Sequence, residues 1–219
     1  MAEEETSAEP ISVVFAGDAW WGAENGAAHK AAHLLLLDHP RLDFKFWYGV
    51  EERNSIAQMC ADCARVVISH RPQAAICSVG FTDVNDELPA ADFTRALAAY
   101  AHDIQTKCRC RVLFCAPPPL AFAPDAEKTR LAREYDEALA RICDANGFLQ
   151  LRFEEPFLSF VRLQARHSGT LYPLHMGDGT LSPFGQLFVA RAIRKSDLLG
   201  LGGPAPADPQ GQAAPASAP

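Results

Sequence analysis

Between residues 11 and 153 the chain repeats one pattern: a short apolar run closed by glycine or a polar turn, then a longer amphipathic stretch. The runs cover residues 11–17, 43–48, 74–79, 111–116 and 148–153, and they are rich in β-branched and aromatic side chains, as buried strands are. Between and after them, residues 23–38, 54–70, 91–106, 125–145 and 156–166 read as helices. Parallel neighbours can be joined only through such crossovers, so the alternation demands a parallel sheet covered on both faces. Five strands in about 200 residues predict an α/β fold, a flavodoxin-like three-layer α/β/α sandwich with a five-stranded parallel sheet.

The helical spacing also assigns buried faces. Ile56, Met59, Cys60, Cys63 and Val67 share one side of the second helix. Phe93, Leu97, Tyr100 and Ile104 do so on the next, and Leu131, Tyr135, Leu139 and Ile142 on the long one that Asn146-Gly147 stops. His39-Pro40 closes the first helix. Ser182-Pro183 opens the last, with serine as cap and proline at the first helical position. Leu187, Phe188, Ala190 and Ile193 are expected to bury that helix, and residues 167–179 before it read as a loop.

Composition sets the outer limits. Residues 1–10 are acidic and expected to be disordered, 11–199 form the folded domain, and 200–219 lack large apolar residues and read as a Pro/Ala-rich disordered tail. The formal charge of −7 argues against nucleic acid, which needs clustered Lys and Arg. No apolar run approaches the ~18 residues of a membrane span. Seven cysteines without scaffold spacing, and no visible export signal, place the expectation in the cytoplasm with reduced thiols.

Ligands of such sheets bind at the carboxyl edge, so candidate site residues are sought in the turns that follow strands. These are Gly17-Asp18-Ala19 after the first, Gly49 after the second and Gly80-Phe81-Thr82-Asp83 after the third. A fourth element, Gly177-Asp178-Gly179-Thr180-Leu181-Ser182-Pro183-Phe184-Gly185, precedes the last helix. All three tryptophans, Trp20, Trp21 and Trp47, lie near these turns, with Tyr48 and Phe81 beside them. Such rings suit stacking on a sugar or gripping an apolar ligand, and they equally suit packing under helices.

Taken in order, these turns resemble the SGNH (GDSL-type) hydrolase family over about residues 11–199. The resemblance implies the flavodoxin-like sheet and hydrolysis of esters or acyl groups. It also implies a Ser nucleophile after Gly-Asp, an oxyanion hole from a glycine and a Gly-x-Asn-Asp motif, and an Asp-x-x-His base. Gly17, Asp18, Gly49, Gly80, Asp83 and Asp178 match that pattern. The nucleophile position is Ala19, the Asn position is Thr82, and the His position is Leu181, or Thr180 in the alternative register. Nucleophile and base act as a unit worth on the order of 10⁶ in rate, and one oxyanion donor about 10²–10³. The expectation is a degenerate site with no intact catalytic residue, no cofactor and no metal. Its recess would be lined by Asp18, Ala19, Trp20, Trp21, Trp47, Tyr48, Gly49, Gly80, Thr82 and His175. Backbone N–H groups there still favour a carbonyl oxygen or an anion.

Three functions stay open on these residues. The first is a pseudo-esterase that binds an acyl or carbohydrate ligand or a protein partner. The second is an active esterase in which His175 serves Thr82, Ser78 or Ser182. The third is a structural or interaction protein with a filled pocket. Cys60-x-x-Cys63 and Cys108-x-Cys110 read as buried thiols, His29 and His33 as a helix-packing pair, and Asp83, Asn85, Asp86 and Glu87 as solvated helix-capping residues.

Overall fold

The computed structural model describes residues 9–21, 25–51, 53–167 and 173–200, with Ala19 and His167 entering through their backbone alone. The expected disorder of residues 1–8 and 201–219 lies outside them. Five strands, β1 (Ile11–Gly17), β2 (Phe44–Val50), β3 (Ala74–Ser78), β4 (Arg111–Cys115) and β5 (Leu149–Leu151), form one sheet in the order β2-β1-β3-β4-β5. Every ladder is parallel. The fold class matches the expectation from the strand–helix alternation.

The helices are α1 (Ala27–Asp38), α2 (Ile56–Val66), α3 (Phe81–Asn85), α4 (Ala90–Lys107), α5 (Ala126–Asn146), α6 (Glu154–His167) and α7 (Pro183–Lys195). Phe15 stacks on Tyr48, which stacks on His29 of α1, whereas its neighbour Ala16 faces Met59 of α2 and Tyr100 of α4. Successive strand residues point to opposite faces, so α1 and the α2/α4 pair cover opposite sides of the sheet. α7 packs against α1, and α5 against α4, completing the two outer layers. The chain therefore leaves β1 toward one face and β3 toward the other. Their adjacent carboxyl ends form the switch point of this sheet.

Local chemistry explains the helix ends. Ser182 Oγ accepts from Gly185 N at 3.0 Å, and Asp125 accepts from the N–H groups of Glu127 and Lys128, both at 3.0 Å. Gly147 closes α5 in the left-handed region with φ of 68°.

Four details differ from the sequence reading. The Gly80-Phe81-Thr82-Asp83 turn continues into the short helix α3. α2 ends at Val66 and passes into a 3-10 turn over Ile68–His70. Leu187 is 38% exposed and Phe188 half-buried, because Gly185, Val189, Ala190 and Ile193 take the inward face of α7. Gly49 lies inside β2, opposite Ala16, rather than in a loop after it.

The glycine at position 49 has a packing cause. A Cβ there would sit 2.2 Å from Val66 Cγ1 on α2, and valine has little rotamer freedom with which to yield. Gly49→Ala is expected to destabilise the protein by about 1–3 kcal/mol through overpacking. Adding Val66→Ala should recover part of that loss, so that urea unfolding of the double variant shows less destabilisation than the sum of the single ones.

Candidate functional site

Asp18 sits at the switch point with its side chain fully buried. Its Oδ1 accepts from Ser78 Oγ at 3.0 Å and from Trp20 N at 3.3 Å. Its Oδ2 accepts from Phe81 N at 2.7 Å and Thr82 N at 3.4 Å. These donors tie the end of β1 to the end of β3 and to the first turn of α3. Burial raises the carboxyl above its ordinary range more than the four donors lower it.

The close approach of the two strands has its own requirement. Gly17 has φ of 150°, and a Cβ there would lie 2.6–2.9 Å from Ser78. Gly80, with φ of 98°, turns the chain into α3 and aims the Phe81 and Thr82 N–H groups at Asp18.

A second carboxylate stands behind the first. Asp83 accepts from Ile56 N through both oxygens, at 3.1 and 3.0 Å, and so caps α2. Burial, with added repulsion from Asp18 and Asp86, pushes its carboxyl up to about 7 against the Ile56 N–H. The acidic turn does not gather as a solvated cluster. Asp83 points inward, while Asp86 pairs with Arg53 at 2.7 Å on the surface.

Asn54, from the turn between β2 and α2, completes this group. Its Nδ2 donates to Gly17 O at 3.1 Å, and its buried Oδ1 has no partner. Sequence reasoning placed Asn54 at the start of a helix. The available signal was an amide immediately ahead of the Ser55 cap, in a turn at the carboxyl edge.

The expected site residues come together only in part. Asp18, Trp20, Gly80 and Thr82 meet at the β1/β3 rim with the backbone of Ala19. Leu181 joins them, donating its N–H to Trp20 O at 3.3 Å with its side chain buried. His175 joins as well, in keeping with its expected place in the recess. It is half-buried, its ring 6.5 Å from that of Trp20 and 5.4 Å from that of Phe157. Burial holds its imidazole down at about 4, and its Nε2 has no hydrogen-bond partner among the described residues.

Other predicted members stand apart. Trp47 lies on the α2 side, stacked 4.0 Å from His70 with Lys45 Nζ 4.6 Å from its ring. Tyr48 lies on the α1 side, between Phe15 and His29. Trp21 is fully buried, as is Trp20 at the rim, and their indole N–H groups have no partner among the described residues. Asp178 does not orient His175. It is exposed and closes its own turn, accepting from Thr180 N at 2.9 Å and Thr180 Oγ1 at 2.6 Å, which keeps its carboxyl below the usual range.

The remaining polar candidates have other roles. The seven cysteines are free thiols, and burial pushes those of Cys63, Cys110 and Cys143 up to about 12. Among the described residues, no three of His, Cys, Asp or Glu converge to hold a metal ion. No described helix is long and apolar enough to cross a membrane.

Solved structures with this arrangement carry esterase names. A catalytic mutant of Axe2, an acetylxylan esterase from Geobacillus stearothermophilus, superposes with a TM-score of 0.72 at 16% identity, covering 85% of this chain and 93% of that one. A protein from Parabacteroides merdae named as a GDSL-like lipase gives 0.75 at 16% identity, covering 89% and 97%. The acetyl xylan esterase AlAXEase gives 0.69 at 20% identity, covering 83% and 96%. This chain has the SGNH/GDSL esterase fold. No protein-family model matches the sequence, and neither does any curated protein.

The buried carboxylates make stability pH-dependent with a defined sign. A carboxyl raised in the folded state binds its proton more tightly there, so its stabilising contribution is full below about pH 4 and is lost as pH rises through about 7. Moving from about pH 5 to about pH 8 should therefore favour Asp83→Asn over the wild type by about 1–3 kcal/mol, read as the difference of two urea unfolding curves at each pH.

Proposed function

We propose that this chain is a pseudo-esterase, an acyl-esterase scaffold used for recognition and not for turnover. One observation carries the reading. At the rim where an esterase of this fold needs a nucleophile paired with a base, position 19 is alanine and the nearby imidazole, His175, has an Nε2 bonded to no hydroxyl or thiol among the described residues. The surroundings support it. The Leu181 side chain fills the motif position of the base, Ser78 is committed to Asp18, and Ser182 caps α7. Thr82 is a poor substitute nucleophile, since it is buried.

The ligand on this reading is an acyl or carbohydrate group, or a protein partner. The full burial of Trp20 and Trp21 argues against sugar stacking on either indole, and Trp47 is held between His70 and Lys45. Recognition is therefore better placed on the outer surface than between the strand ends.

The test is hydrolysis of p-nitrophenyl acetate and butyrate near neutral pH. The wild type and His175→Ala should both match buffer. Turnover above buffer that disappears in His175→Ala would instead establish an enzyme with a relocated base.

A further inference from the structure

α7 carries two stripes. The inward one joins the core. The outward one, Phe184, Leu187, Phe188, Arg191, Ala192 and Lys195, follows helical spacing and faces α6 across a groove of about 380 Å³. Phe160 of α6 forms the opposite wall, its ring 5.1 Å from that of Phe184 and 5.7 Å from that of Phe188. Phe184 and Leu187 each remain 38% exposed. The groove is thus apolar over the first half of α7 and cationic over the second.

The cations are not neutralised by their neighbours. Arg194 is held by Asp38 on α1, but Arg191 and Lys195 have no ion pair among the described residues, and no acidic side chain lines the groove. In a chain of net charge −7 this is a local reversal of sign.

We propose that the α6/α7 groove binds a single-chain amphiphile with an anionic head, of the fatty carboxylate class. The alkyl chain lies against Phe160, Phe184, Leu187 and Phe188, and the carboxylate meets Arg191 and Lys195 one turn apart. The volume falls in the range of small-ligand sites, ~300–1,000 Å³. A second copy packed by a two-fold axis sets this stripe against itself, bringing Arg191 and Lys195 of both copies into one patch with no lining acid to offset them. The proposal is independent of whether the β1/β3 rim turns over an ester.

Calorimetric titration of the full chain tests it, with dodecanoate and dodecyltrimethylammonium as probes below their micelle concentrations. Dodecanoate should bind saturably at one site, about tenfold or more tighter than its cationic counterpart. The exposed pair Arg191→Gln and Lys195→Gln, which leaves the core untouched, should weaken dodecanoate by about tenfold and narrow the gap between the two probes. Ala192→Trp, with folding confirmed by its melting transition, should fill the groove and remove binding of both. Absence of saturable dodecanoate binding, equal affinity for the two heads, or binding unaffected by these variants would overturn the assignment. So would a sedimentation shift to dimer that Ala192→Trp abolishes, since the groove would then belong to a second copy.

Discussion

The buried carboxylate of Asp18 holds the switch point of the sheet together. β1 and β3 pair as neighbours as far as Ala16 and Cys77, and beyond that ladder their chains leave toward opposite faces. Asp18 joins them there by accepting from Ser78 of β3, from the Phe81 and Thr82 N–H groups that open α3, and from Trp20 in its own turn. Gly17 lets the strands come close enough for these bonds, and Gly80 supplies the left-handed turn that aims two of them. Asp83 and Asn54 extend the same network to α2 and back to Gly17. A rim so committed has few polar groups left over for chemistry.

This balance is consistent with the proposed reading of an esterase frame that serves recognition. Folding of the sheet needs the glycines and the first aspartate of the motifs, and these are present. Attack on an ester needs a hydroxyl or thiol in contact with a base, which neither Ala19 nor Leu181 can provide. The side chains of Trp20, Trp21 and Leu181 are all buried. An accessible apolar groove lies elsewhere, between α6 and α7, where two cations border it.

Much of the fold was legible because the strand runs are short, rich in apolar residues and closed by turns, and the helices between them show apolar stripes, local signals that survive without tertiary knowledge. The site was less legible. Gly49 reads as the end of a strand, yet its cause is Val66 on a helix that arrives later in the chain. Trp47 and Tyr48 are adjacent in sequence and were grouped together, although alternation along a strand sends them to opposite faces. His175 is placed in the recess by the motif, but the aromatic rings it meets, Trp20 and Phe157, are distant in sequence and carry no local signal for it. Asn54 and Ser78 carry no motif, and their importance follows from where Gly17 and Asp18 end up. The outward turn of Leu187 was missed for a related reason: helical spacing allows two stripes on α7, and only packing against α1 decides which faces inward.

Urea unfolding of Asp18→Asn against the wild type, at neutral pH, addresses the central point most directly. If Asp18 is the joint between β1 and β3, the amide leaves donors from Ser78, Phe81 or Thr82 without an acceptor, and stability should fall by about 2–4 kcal/mol. A change within about 0.5 kcal/mol, the range of ordinary surface substitutions, would contradict the account, because the rim would then stand without the interaction on which its architecture is argued to rest.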